Sequence, residues 1–223
     1  MTEFAVQRHN MVESQIRPNG ITDARVIDAM AAVPRELFVP EDRRALAYMD
    51  EDVLVAVMPD GARRWLIEPM TFARLLQLAE IRPREIVLDI GCATGYSTAV
   101  MAALAESVIA IEEDSVLAEE ATLRLGQLGI TNAAVVNAPH ATGLGGEAPF
   151  DVIFINGRVP SLPQPLLEQL KEGGRLVAVV GESAVAPAIV CTRHGEAFSS
   201  RAQYDASIAP LPGFPPPARG FVF

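Results

Sequence analysis

Apolar residues recur at helical spacing over residues 4–16 (Val6, Met11, Val12, Ile16) and again over residues 22–33 (Val26, Ile27, Met30, Val33), so the chain is expected to open with two amphipathic helices. "RPNGIT" between them reads as a turn; Thr22 followed by Asp23 offers a cap for the second helix, and Pro34 stops it. "RELFVPEDRRALAYMDEDVLVAV" predicts a short helical piece and then a strand, "VLVAV". "EPMTFARLLQLAEI" is an amphipathic helix ended by "RPRE".

From residue 85 the rhythm changes. "EIVLDIG", "SVIAIEED", "AAVVN", "FDVIFING" and "RLVAVVG" are short, nearly continuous apolar runs and predict five strands. Helices are expected between them at residues 95–105, in "VLAEEATLRLGQLGI", and in "QPLLEQLKEGG", where the glycines supply the stop. This alternation predicts an α/β fold with a parallel sheet covered on both faces. The proline-rich "APLPGFPPPARG" suits a capping excursion and excludes a central strand.

Composition changes the picture in what it excludes. Half of the 223 residues are hydrophobic and 21% are charged, which predicts a sizeable core. The net charge of −10 repels phosphate backbones, so no nucleic-acid partner is expected. No run reaches membrane-spanning length, and the polar N-terminus does not read as a signal peptide; neither a membrane nor export is expected. Two cysteines, Cys92 and Cys191, make no disulfide framework and fit a reduced, cytoplasmic chain. His9, His140 and His194 lack ligand spacing, so no metal is expected.

The candidate chemistry sits in "VLDIGCATGYSTAV", residues 87–100, a strand, a glycine turn and a helix. Small residues at Gly91, Cys92, Ala93 and Gly95 let backbone N–H groups approach a ligand. The spacing Asp89-x-Gly91-x-Ala93-x-Gly95 is not the dinucleotide pattern, and Asp89 at the strand end argues against a pyrophosphate. A carboxylate there suits a ligand with an ammonium or hydroxyls, which points to S-adenosylmethionine. Glu112, ending the second strand, stands where a ribose-binding carboxylate belongs. Against this, Glu112, Glu113 and Asp114 also read as a solvated turn and capping cluster, a reading that holds at least for Asp114.

Beyond these motifs the chain resembles the protein-L-isoaspartate O-methyltransferase family from residue 8 to about residue 181. "VPRELFVPEDRRALAYMDEDVLV" resembles that family's N-terminal segment. "IEPM" with "FARLLQLAEIRPREIVLDIGCATGYSTAVMAALA" is similar to its substrate loop and first motif, and "APFDVIFINGRVPSLPQPLLEQLKEGGRLVAVVG" to its fourth strand, helix and fifth strand. The resemblance implies a Rossmann-like methyltransferase fold, mostly a parallel doubly wound sheet. Residues 1–80 would form an N-terminal helical extension with the substrate loop, and residues 81–223 the cofactor-binding part of one structural unit. It also implies methyl transfer from S-adenosylmethionine, leaving S-adenosylhomocysteine, to the α-carboxylate of isoaspartyl residues in damaged proteins.

Three positions depart from the family pattern. Its substrate loop reads Thr-Ile-Ser-x-Pro; here Trp65, Leu66, Ile67, Glu68 and Pro69 stand there, so the position of the assisting serine has no hydroxyl. Glu68 is then the one adjacent candidate catalytic group, although a carboxylate repels an anionic substrate unless protonated. The family's Gly-Asp-Gly turn at the adenine is Ala138-Pro139-His140, where His140 either meets the purine or is an ordinary loop histidine. The small pair after the fourth strand is Asn156-Gly157, with Asn156 facing the ligand end of the sheet or simply ending the strand. Arg63 and Arg64 are candidates to receive the acceptor carboxylate, but their place in a polar turn predicts solvated cations. The expected cofactor contacts are Asp89, Gly91, Cys92, Ala93, Gly95, Glu112, Glu113, His140 and Asn156; the expected substrate contacts are Trp65, Ile67 and Pro69. The readings left open are a repair enzyme weakened at Ile67, a methyltransferase for another acceptor such as a small carboxylate, and a non-catalytic binding module. The chain is expected to be a monomer or homodimer.

Overall fold

The computed structural model describes residues 2–214. Helix α1 (Glu3–Met11) starts where the Thr2 hydroxyl accepts from the Ala5 N–H at 3.3 Å, and it runs on through a π turn at Val12–Ile16. Asp23, rather than Thr22, caps α2 (Ala24–Ala32) by accepting from the Arg25 N–H at 2.9 Å. Two 3-10 turns, Arg35–Phe38 and Glu41–Leu46, lead into a hairpin of β1 (Val53–Val57) and β2 (Arg63–Leu66). Helix α3 (Pro69–Ala79) begins on a proline that needs no N–H partner there.

The sheet contains β3 (Ile86–Ile90), β4 (Ser107–Glu112), β5 (Ala133–Asn137), β6 (Phe150–Val159), β7 (Leu170–Val180), β8 (Val185–His194) and β9 (Ala197–Ser207). Their order is β5-β4-β3-β6-β7-β8-β9. The pairings from β5 to β7 are parallel, and β7–β8 and β8–β9 are antiparallel. Alternate residues divide the faces. Val87, Val108, Val152, Phe154, Val177 and Val179 join one apolar cluster with residues of α1–α3 and α4 (Tyr96–Ala102), and with Leu125 of α5 (Ser115–Gln127). That cluster runs from Met11 to Ile208 and so includes residues on both sides of residue 80. Leu88, Ile90, Ile111, Ile153, Ile155 and Leu176 face the other way, against α6 (Gln164–Leu167), Leu162 and Leu211.

Two expectations need correcting. The helix read in "QPLLEQLKEGG" is the single turn α6; Leu170 already pairs with Phe150, so the chain turns into β7 well before the glycines. Gly174 serves that lead-in instead, because a Cβ there would lie 2.9 Å from two backbone carbonyl oxygens. The sheet also extends beyond the five expected strands, by the antiparallel pair β8 and β9. Pro187 inside β8 hides the strand pattern, and β9 carries mostly exposed residues, so neither shows the continuous apolar run of β3 or β7. Of the proline-rich segment, residues 209–214 cross the carboxyl end of the sheet, with Leu211 N–H on Arg158 O at 2.9 Å; the remainder lies outside the described residues. Among the described residues no helix is long and apolar enough to cross a membrane.

Candidate active site

The chain order reverses on either side of β3, which pairs with β4 on one edge and β6 on the other. At such a switch point the connections leave in opposite directions and open a crevice at the carboxyl ends of the strands. The glycine turn lies there. Gly91, Ala93 and Gly95 all have positive φ (75°, 49° and 95°), so the turn curls back on itself. Gly95 is required on space as well, since a Cβ would sit 3.1 Å from the Ala121 Cβ of α5. Ala93 holds a left-handed conformation at a cost of about 1–2 kcal/mol, and its N–H is spent on Glu112 Oε2 at 2.8 Å. Cys92 is buried, and burial pushes its thiol well above the ordinary range, an inert thiol that fills space.

Asp89 is fully buried beneath this turn. Its Oδ2 accepts from Ser97 Oγ at 2.8 Å and Thr98 Oγ at 2.7 Å, and its Oδ1 accepts from Asn156 Nδ2. Burial raises its carboxyl to about 6, against the lowering effect of those three bonds. With about four lone-pair sites on a carboxylate, Asp89 keeps at most one for a ligand. It therefore acts mainly by locking the start of α4 onto β3, and Asn156 is the clamp on its far side.

Glu112 is 1% exposed and makes the densest contacts of the site. Its Oε2 accepts from Ala93 N–H and from Arg64 Nη2 at 2.7 Å, and its Oε1 lies 3.4 Å from His140 Nε2. Burial pushes its carboxyl up, but His140, the Arg64 charge and the Ala93 N–H outweigh burial and hold it below the usual range. Asp114 caps α5 through Leu117 N–H at 2.9 Å, and Glu113 is exposed, accepting from His140 N–H at 2.7 Å. His140 is buried rather than solvated. It is 1% exposed, its Nδ1 is 3.0 Å from Pro212 O, and its ring stacks on Phe214. Arg64 overturns its expectation: it is 4% exposed, bonded to Glu112 and to Gly91 O at 3.0 Å, whereas Arg63 is exposed as expected.

The segment expected to meet the acceptor, here called the acceptor loop, runs from β2 into α3. Ile67 is buried, and its carbonyl accepts from Arg35 Nη2 at 2.7 Å. Arg35, fully buried, also donates to Ala47 O at 2.6 Å and lies 4.8 Å from the Tyr96 ring centroid. It pins the loop to the N-terminal segment, a role that no local sequence signal marks. Trp65 is half-buried and lines the crevice with Ile67, Asn156 and Gly157, while Pro69 is buried in the first turn of α3. Glu68 is not brought to the crevice. Its carboxylate accepts from Thr71 Oγ, and its N–H donates to Asp52 at 2.8 Å. Burial, joined by nearby Asp50, Asp52 and Glu51, raises its carboxyl.

The donor set suits S-adenosylmethionine in kind: a turn of small positive-φ residues flanked by carboxylates at the tips of two adjacent strands. A cavity of about 290 Å³ beside Glu112, lined by Met58, Asp60, Glu113 and His140, has room for part of a nucleoside. Over Gly91, two side chains of the protein fill the cradle: a Cβ there would meet Leu211 Cδ1 at 2.6 Å and Arg64 Nη2 at 3.3 Å.

Sheet order, switch-point crevice and glycine turn define a Rossmann-like methyltransferase. Residues 6–211 match the family described as Protein-L-isoaspartate(D-aspartate) O-methyltransferase. The chain is 37% identical over 213 residues to a protein-L-isoaspartate O-methyltransferase of Koribacter versatilis (strain Ellin345), covering 96% of this chain and 94% of that one. It is 42% identical over 182 residues to protein-L-isoaspartate O-methyltransferase 1 of Syntrophobacter fumaroxidans, covering 82% and 83%. Of solved structures, a protein-L-isoaspartate O-methyltransferase aligns over 92% of this chain and 66% of its own with a TM-score of 0.82 at 23% identity. A putative Plasmodium falciparum member in complex with S-adenosyl-L-homocysteine aligns over 92% and 97% with a TM-score of 0.76 at 21% identity. The chain belongs to the protein-L-isoaspartate O-methyltransferase family.

Proposed function

We propose that the protein transfers a methyl group from S-adenosylmethionine to the free α-carboxylate of isoaspartyl residues in damaged proteins and peptides, with activity weakened at Ile67. The observation that carries this reading is the pair Asp89 and Glu112 at adjacent strand tips around the Gly91–Gly95 turn. When bound, the cofactor supplies an electrophilic methyl on a sulfonium. Glu112 would accept from the ribose hydroxyls, the Gly91 carbonyl would face the ammonium of the amino-acid end, and His140 with Glu113 would border the purine. Asp89 and Asn156 would keep the turn in shape.

The acceptor carboxylate is already ionised at neutral pH, so the chain needs no strong base. Its task is to hold two reactants in line and dry, which contributes on the order of 7–11 kcal/mol at best. Arg35 serves this by fixing Ile67 O, and Phe72, Tyr96 and Trp65 by excluding water. A missing hydroxyl at Ile67 removes one contact worth about 1–3 kcal/mol, which slows the reaction without ending it. Two buried free thiols, Cys92 and Cys191, suit a reducing cytoplasm.

A second reading keeps the chemistry and changes the acceptor. Ile67 and half-buried Trp65 make the acceptor side apolar, which suits a small, less charged carboxylate. Transfer of labelled methyl to an isoaspartyl peptide, beside its aspartyl twin, separates the two. In Ile67→Ser the first reading expects a gain of about tenfold on the isoaspartyl peptide. No gain, together with turnover of small carboxylates, supports the second.

A further inference from the structure

Arg64 is a buried cation whose charge is engaged by Glu112 rather than offered to an acceptor carboxylate. It enters from β2 and reaches the turn with a single nitrogen: Nη2 donates to Gly91 O at 3.0 Å and Glu112 Oε2 at 2.7 Å. Its Nε and Nη1 are buried without a hydrogen-bond partner among the described residues. A guanidinium carries five donor hydrogens, so this one is held by its charge on Glu112 and is otherwise poorly satisfied. Unpaired buried donors raise the free energy of this conformation relative to one in which Arg64 reaches water, and so offset part of what the ion pair contributes.

Leu211 closes the same spot from the opposite side. It lies on Gly91 and against Gly157, where a Cβ would be 2.8 Å from the Leu211 Cβ. Its segment is tied by Leu211 N–H to Arg158 O and Arg158 N–H to Ala209 O, both 2.9 Å, and by Pro212 O beside His140. Around Trp65, Ile67 and Asn156 the free space is only about 10 Å³, against about 290 Å³ in the cavity that Arg64 and Glu112 line together with His140. The crevice is open where a purine belongs and filled where the sulfur and methyl belong.

We infer that Arg64 and the cofactor ribose are alternative occupants of Glu112, so the site is closed upon itself and opens only when the β1–β2 hairpin withdraws Arg64 and the 209–212 segment lifts Leu211. The inference rests on the reading of Glu112 as the ribose acceptor. A site that must first open binds with an affinity reduced by its open fraction. Removing either plug therefore strengthens binding, which is the reverse of what deleting a contact residue does.

The test is calorimetric titration of S-adenosylhomocysteine into the wild-type chain, Arg64→Met and Leu211→Ala. Both variants are expected to bind about tenfold more tightly or better. Arg64→Met strands Glu112 without its cation and is checked by thermal unfolding; Leu211→Ala leaves the ion pair intact and opens the same crevice. Equal or weaker binding by folded variants, with the wild type binding, overturns the self-closed site and leaves the cofactor reading standing. No heat from any of the three at millimolar ligand overturns both.

Discussion

At the tips of β3 and β4 the acceptors are engaged by side chains or turn amides: Asp89 by Ser97, Thr98 and Asn156, and Glu112 by Arg64 and Ala93. Across the crevice, the acceptor loop presents Ile67 and Trp65, and its one carboxylate, Glu68, is turned onto Thr71. One end of the site is a buried polar network and the other is apolar packing. Networks of the first kind resist single changes badly, because each removal strands a partner in low dielectric. Apolar packing tolerates exchange of a side chain at a cost set by volume. The difference teaches where this protein has latitude: apolar residues such as Ile67 can be exchanged at a cost set by volume, whereas the buried network at the strand tips cannot lose a member without stranding its partner.

Glu112→Gln should break the comparison most. Removing one member of a buried ion pair costs about 3–5 kcal/mol, so urea unfolding should show a loss of that size. A loss below 1 kcal/mol would mean that the pair is not formed in solution.

Asp89→Asn sharpens the comparison through pH. Asp89 titrates at about 6 in the fold against 3.8 without the fold's influence. The folded form binds that proton more strongly, so its contribution to stability is present below pH 4 and is lost as pH rises through 6. The loss is on the order of 2–3 kcal/mol, and Asp89→Asn should abolish it, so that the urea midpoint of the variant no longer falls across that window. Glu112, lowered, acts with the opposite sign: its contribution is present above its ordinary range and lost in acid. A midpoint that rises between pH 4 and 6 in the wild type and stays unchanged in Asp89→Asn would contradict the raised carboxyl.

At the acceptor end the effects shrink. Glu68, raised by burial and its acidic neighbours, should be relieved by Glu68→Gln. The expected gain at neutral pH is below about 1 kcal/mol after solvent screening, and it should vanish in acid, as thermal unfolding at the two pH values will show. The exposed pair Arg17 and Glu13 gives the baseline. Glu13→Gln should move stability by no more than about 0.5 kcal/mol; a larger change would mean that exposed pairs matter here as buried ones do.

Much of this architecture was legible one residue at a time. Continuous apolar runs announced β3, β4, β6 and β7, and Gly91 and Gly95 announced the turn, because strand burial and positive φ are demands each residue meets locally. The β8–β9 pair stayed hidden because its pairing is antiparallel, long and exposed on β9, and Pro187 interrupts its pattern. Asp89 and Glu112 were found as carboxylates at strand ends, but their partners were not. Arg64 reads as a turn cation, and only the fold brings it against a carboxylate 48 residues on.

The sequence by itself determined the alternation of strands and helices, the tight turn after β3 and the presence of two carboxylates beside it. Local sterics and hydrophobic periodicity suffice for these. Tertiary structure alone decided which charges are buried, that Arg35 pins the acceptor loop, and that Arg64 and Leu211 lie over Gly91. Those outcomes depend on contacts between segments far apart in the chain, and the free energy of a charge is set by what surrounds it rather than by its neighbours in sequence.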